Sequence, residues 1–336
     1  MSPNANAPSN IPAGITEIEL WIQLIVFLGI IGGVVSTAGN LAIVIGILRS
    51  KKLRSRFFVI LWFLAMARAL TSSQTIVTVA YRTLRTLNIA DMMVKRISCY
   101  LIHLNAYYSL TLEVVFLLGL VIDRCLAILA YRYYSTLTYR QAIKACTIAS
   151  VVTIMVKVVP SFLGVDVTAV IPCVNMISPL IPAYANFHTN VDLVITIMML
   201  SIYLWLMWYV RFRFLPAANS SSLEGGDQTA FINFNRQANL LRLIRQLVLM
   251  HCGVTLVTRA GLGLLTFVPP LVAVRLSTYN SMLVVLENIF DIAVVLISDK
   301  DVRKAAVPCF VKVVSDTTVV QVSVQAGRRI NVQLAG

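Results

Sequence analysis

The sequence predicts an all-α membrane protein: a bundle of seven membrane-spanning helices followed by a short amphipathic eighth helix. Three observations carry this. Hydrophobic residues make up 58% of the 336-residue chain and charged residues only 12%, with a mean hydropathy of +0.83. A soluble domain carries about 25% charged residues, so this chain lacks the charge to solvate a whole surface. The apolar residues fall into separate runs, each long enough to cross a hydrocarbon core, which takes about 20 residues. Basic residues gather unevenly between those runs.

The runs are 20–48, 57–80, 99–130, 145–163, 188–209, 247–269 and 278–297. In lipid the backbone must satisfy its own hydrogen bonds, so each is expected to be helical. The spans and their loops use up the chain and leave no room for a second domain. The expected organisation is an extracellular N-terminus (1–19), the transmembrane domain (20–297), an amphipathic helix on the membrane surface (298–310) and a cytosolic tail (311–336). The polar first residues lack the basic start and short apolar core of a cleaved signal peptide, so the first span is expected to act as a signal anchor. Residues 215–239 are rich in Ser, Asn and Gly and read as a mobile loop. The tail alternates in polarity (VVQVSVQ) and reads as disordered.

Orientation follows from basic residues near the span ends. Arg49, Lys51, Lys52, Arg54 and Arg56 follow the first span, and Arg124, Arg132, Arg140 and Lys144 follow the third. Arg211, Arg213, Arg236, Arg242 and Arg245 lie between the fifth and sixth. Lys300, Arg303, Lys304, Lys312, Arg328 and Arg329 follow the seventh. The opposite side has only Arg82, Arg85, Lys95, Arg96 and Arg275. The richer side is expected to face the cytosol, in the plasma membrane, with the N-terminus outside. The net charge of +14 then points to anionic lipid headgroups rather than to nucleic acid.

The chemistry-bearing residues argue against catalysis. The three His are scattered, and neither HExxH nor CxxC occurs, so no enzyme, metal or cofactor is expected. Other motifs sit at span ends. The first span carries Gly39-Asn40, and the third ends on Asp123-Arg124-Cys125. Cys99 precedes Arg124 by 25 residues, roughly 37 Å of helix and a full crossing. Cys99 and Cys173 are therefore both expected on the outer, oxidising side, where a Cys99–Cys173 disulfide would tie the loop before the fifth span to the third helix.

This set resembles the rhodopsin-like G-protein-coupled receptors, and more narrowly the divergent nematode serpentine chemoreceptors, over roughly residues 39–310. By that resemblance, Asn40 matches the first-helix asparagine. Asp123 and Arg124 match the acid–base pair of the G-protein switch, and Asp291 opens the seventh-helix motif. Cys309 stands where many members are palmitoylated. Arg68 replaces the second-helix aspartate, and the tryptophan and proline switches of the fourth, fifth and sixth helices are absent. The resemblance implies a receptor, chemosensory in kind, that converts binding of an extracellular ligand into activation of a heterotrimeric G protein.

Ionisable groups inside a membrane are expensive and paired. Asn40, Arg68, Glu113, Glu287 and Asp291 are expected to form one buried polar network. In related receptors a sodium ion sits at this level; here Arg68 is expected to take its place, neutralised by Glu113, Glu287 or Asp291. Candidates for the ligand pocket are His103 and Tyr107 on the third helix, Lys157 and Asp192 on the fourth and fifth, which could pair, and Arg259 on the sixth. The alternative function is a transporter or channel using the buried charges as a translocation path. Transporters show repeated halves and broken mid-membrane helices, and seven uninterrupted runs do not divide that way.

Overall fold

The computed structural model describes residues 13–86, 93–163, 168–173, 182–214, 228–264 and 270–317. The described residues of all seven apolar runs are helical, apart from Ala130 at the end of the third. In chain order the elements are α1 (Ala13–Arg49), α2 (Arg56–Thr86), β1 (Met93–Lys95), α3 (Arg96–Leu129), α4 (Tyr131–Thr136) and α5 (Tyr139–Leu163). Then come β2 (Val170–Pro172), α6 (Pro182–Tyr209), α7 (Gln228–Leu264), α8 (Pro270–Ser298) and α9 (Lys300–Thr317). A short π-helical turn, Val210–Phe214, closes α6.

Six helices among the described residues are long and apolar enough to cross a membrane: Gln23–Arg49, Arg56–Tyr81, Tyr139–Phe162, Asn190–Phe212, Leu240–Thr258 and Tyr279–Ser298. The protein is a multi-pass membrane protein. The remaining expected span, the third (99–130), corresponds to α3, 34 residues long, which is not one of those six.

Lipid-facing surfaces are apolar without compensation from the aqueous hydrophobic effect, and the sequence supplies them. Ile148, Val151, Val152 and Met155 on α5 are exposed, as are Val194, Ile197, Leu204 and Trp208 on α6. Leu64, Leu117, Leu120, Val121, Met199, Tyr203 and Leu247 form a contiguous buried core. α1, α2, α8 and α9 pack together at one side, and α3 lies against α2, α5, α6 and α7.

Helix ends follow local chemistry. α5 starts on Thr138-x-x-Gln141, where the Thr138 N–H donates to Gln141 Oε1 at 2.6 Å and the Gln141 N–H donates to Thr138 Oγ1 at 3.4 Å. This is a reciprocal capping box. α9 starts after Asp299, whose carboxylate accepts the N–H groups of Asp301 and Val302, each at 2.9 Å. An acidic side chain there satisfies donors the helix itself leaves open. Close packing by a glycine then seats α9 on α1. A Cβ built on Gly46 would lie 2.9 Å from the backbone nitrogen of Ala306, so only a residue without a side chain permits this approach.

Three extents differ from the sequence expectation. α1 begins at Ala13 and α7 at Gln228, because helix persists into polar flanks that hydropathy alone does not register. α7 therefore takes in residues 228–239, read from composition as mobile loop. α9 runs past 310 to Thr317, into a segment read as disordered tail.

At the far end of α3 from Arg124, β1 and β2 pair antiparallel, with Val94 opposite Ile171. Next to that ladder Cys99 and Cys173 form a disulfide, Cα to Cα 5.5 Å. The loop after α5 is thus pinned to the start of α3.

Candidate functional site

The polar side chains lie in three groups along the bundle. The central group joins five helices. Arg68 of α2, 2% exposed, forms an ion pair with Asp291 of α8, 1% exposed. The contact is electrostatic rather than aligned: Arg68 Nε and Nη2 and both Asp291 carboxylate oxygens have no hydrogen-bond partner among the described residues. Asn40, Leu64, Ala65 and Ile292 line the space around the pair, which leaves no volume for a water-sized guest.

Around this pair the helices are stitched by hydroxyls and amides. Asn40 Nδ2 donates to the Ser36 carbonyl at 3.0 Å, and Ser36 shares a 2.7 Å hydroxyl bond with Ser72. Asn288 Nδ2 donates to Ser72 Oγ at 3.1 Å. That chain runs α1–α2–α8. Thr71 of α2 donates to Glu113 of α3, while Glu287 of α8 sits 2.7 Å from His251 Nδ1 on α7. Thr255, one turn along α7, lies 3.3 Å from His251 Nε2. The five residues expected to meet do share one buried region, but the three acids are divided. Asp291 takes Arg68, Glu113 takes Thr71 and Glu287 takes His251.

His251 is the residue the sequence reading missed. A lone histidine in an apolar helix carries no motif, and its only signal was an ionisable group at mid-span opposite a chain with three unassigned acids. Ser36, Ser72, Thr71 and Asn288 gave no signal either, since small polar residues are frequent in membrane helices.

The second group lies at the end of α3. Arg124 Nε donates to Asp123 Oδ2 at 3.0 Å, and its Nη2 reaches the same oxygen and Tyr134 Oη, the latter at 2.7 Å. The Tyr134 hydroxyl donates in turn to Asp123 at 3.3 Å. Arg124 also lies over the Phe57 ring, 5.0 Å from its centroid. Tyr134, on the short helix α4 outside the spans, was not anticipated. Burial pushes its phenol above the usual tyrosine range; the Arg124 and Arg56 guanidiniums pull against that shift and the Asp123 carboxylate adds to it. It therefore remains a neutral hydroxyl, able to donate and accept at once.

The third group lies toward the disulfide. Lys157 of α5, 1% exposed, donates to Asp192 of α6 at 2.9 Å. Thr111 of α3 donates to the same carboxylate oxygen at 3.0 Å. The Lys157–Asp192 pairing considered from sequence is thus made, and it draws in α3. His103 is buried, with a ring nitrogen and both disulfide sulfurs within 4.8 Å of one another. No clustered Cys/His set was expected, and here the two sulfurs are bonded to each other rather than held as thiolates. The side chains of Tyr107, Arg259 and Cys309 lie outside the described residues.

Arg68–Asp291, Lys157–Asp192 and His251–Glu287 each join two helices, whereas Asp123 and Arg124 are neighbours on α3.

Compared with known families, residues 33–310 match the model for the serpentine type 7TM GPCR chemoreceptor Srsx. No curated protein matches the chain.

Proposed function

We propose a specific working cycle for this chain, which belongs to the serpentine 7TM GPCR chemoreceptor family Srsx. The family is one of receptors, not of enzymes, and it implies an extracellular ligand and a G-protein partner in general terms. The N-terminus and the disulfide end face outward, the Arg124 end and α9 face the cytosol, and α3 is the third of seven spans. An external chemical ligand binds among α3, α5, α6 and α7, near His103, Lys157 and Asp192. Its differential affinity for two conformations shifts their populations. The cytosolic face then presents a changed surface to a heterotrimeric G protein.

The observation that carries this reading is the closed position of Arg124. Asp123 and Tyr134 hold its guanidinium, both from the same end of α3 and the turn after it. A guanidinium so enclosed is unavailable to a partner, and opening requires α4, which carries Tyr134, to shift relative to α3. Truncating one member of such a desolvated pair leaves the other uncompensated. The pair is thus a two-position element rather than a passive anchor. The Arg68–Asp291 pair supports the same reading one level deeper. With Arg68 filling the space, a fixed charge stands where relatives are expected to use a mobile ion.

The test is a ligand screen in cells, comparing wild type with Arg124→Ala in a generic G-protein readout. The expected result is a ligand response in wild type that is lost in the variant at equal surface expression. An undiminished response in the variant removes the role assigned to Arg124. Ligand-dependent current without any G-protein response replaces the receptor reading with the channel one.

A further inference from the structure

Between α2, α3 and α5, at the Arg124 end of the bundle, lies a cleft of about 330 Å³. Its size falls at the lower end of small-molecule sites, about 300–1,000 Å³. The cleft exists because its walls are small. Ala142, Ala145 and Ala149 recur at three- and four-residue spacing on one face of α5, and Gly119 of α3 lines the cleft with them. The cleft opens outward rather than into the bundle, since Ile122 and Ala145 on its walls are exposed. From Gln141 to Ala149 it follows α5 for roughly 12 Å, which stays within the roughly 15 Å of one leaflet's hydrocarbon.

The mouth is cationic. Arg56, the first residue of α2, lines the cleft. Its guanidinium lies 3.4 Å from the Tyr134 ring centroid. Its Nη1 is shut from solvent and has no hydrogen-bond partner among the described residues. No carboxylate among those residues pairs with it. Asp123 also lines the cleft, but its charge is taken by Arg124 and Tyr134. An apolar slot within one leaflet, ending in a half-buried cation that lacks an anion among the described residues, matches one chemistry: an apolar chain joined to an anionic head.

We propose that this cleft is a binding site for an anionic phospholipid of the surrounding bilayer, its acyl chain lying along Ala142, Ala145 and Ala149 and its headgroup on Arg56. On the orientation given above, this is the cytosolic leaflet, where anionic lipids are concentrated. The site abuts the Arg124 switch, because Asp123 forms part of its wall and Tyr134 touches both Arg56 and Arg124. Occupancy and the closed state of Arg124 are therefore linked.

The experiment uses the full-length protein purified into bilayer discs of equimolar phosphatidylserine and phosphatidylcholine with identical acyl chains. Native mass spectrometry reads which lipid stays bound, without any ligand or G protein, so its outcome is independent of the signalling assay. Wild type is expected to retain phosphatidylserine over phosphatidylcholine. Arg56→Gln is expected to reduce that preference about fivefold, the effect of one basic side chain near an anionic surface. Ala145→Leu, at an exposed position that leaves the core intact, fills the slot and is expected to lower retention of both lipids. Lys51→Gln with Lys52→Gln removes two exposed charges outside the cleft and is expected to change nothing. The proposal is overturned if wild type shows no preference. It is equally overturned if the Lys51/Lys52 variant loses as much as Arg56→Gln, or if Ala145→Leu retains lipid like wild type.

Discussion

Arg68 and Asp291 meet inside the bundle as an ion pair between α2 and α8, each essentially without solvent contact. Two charges this deep hold each other's helices in register, because separating them would leave both uncompensated in a medium without water. Reversing either sign alone, Arg68→Asp or Asp291→Arg, should cost at least the roughly 3–5 kcal/mol of breaking a buried pair. Each single variant is expected to lose most of its surface expression, and the double exchange to recover a substantial part. Flow cytometry on an extracellular epitope reads this directly. Surface levels unaffected by either single change would show that the pair does not hold the helices.

Tyr134→Phe removes one hydroxyl that both accepts from Arg124 and donates to Asp123. The ring that stacks on Arg56 is kept. Losing hydrogen bonds to charged groups costs about 1.5–3 kcal/mol, so the closed position should weaken while the fold survives. Ligand-independent G-protein activity is expected to rise several-fold at unchanged surface expression. Basal activity equal to wild type would mean that Asp123 alone holds the switch.

Gly46 and Gly253 make a matched comparison. A side chain at Gly46 would run into the backbone of Ala306, whereas among the described residues nothing lies within 4 Å of a Cβ at Gly253. Gly46→Leu should therefore unseat α9 and lower the melting temperature of the purified protein by several degrees. Gly253→Ala should raise stability by about 0.5–1 kcal/mol, because alanine restricts the unfolded chain without meeting a neighbour. Equal shifts in the same direction would contradict the α1–α9 packing described above.

Lys157 is buried and pairs with the partly buried Asp192, with Thr111 as a third member. Lys157→Met strands a carboxylate and Asp192→Leu strands an ammonium, so each single change should destabilise by about 3–5 kcal/mol. The double replacement should come close to wild type in thermal stability, since apolar residues of similar volume can substitute for such a pair. If the pair also contacts the ligand, the stable double variant is expected to have lost its ligand response. A stable double variant that responds normally assigns the pair to structure alone.

The helices were legible because the bilayer acts on every residue in the same way. An apolar run such as 145–163 has no alternative in lipid to a helix with internal hydrogen bonds, and α5 contains all of it. The polar ends were less legible. Residues 228–239 look like loop by composition, yet they extend α7, because a helix already nucleated by its apolar portion propagates at low cost.

The site was legible in type and not in pairing. Arg68, Glu113, Glu287 and Asp291 stood out as ionisable groups in apolar surroundings, and the energetic cost of their burial required partners nearby. Their partners were a different matter. Three acids were equally plausible for Arg68, and His251 and Tyr134 carried no pattern that marked them.

What the sequence by itself determined is that this chain lives in a membrane as a set of long helices with buried charges and a loop tied by Cys99 and Cys173. Hydropathy, span length and the cost of burying charge are local quantities, readable residue by residue. Only the tertiary structure decided that Asp291 takes Arg68, that Glu287 takes His251 and that Tyr134 closes on Arg124. Those choices depend on which helices are neighbours and how each is rotated about its axis. A hydrogen bond or ion pair is made or lost over about an ångström, far finer than any pattern along the chain records.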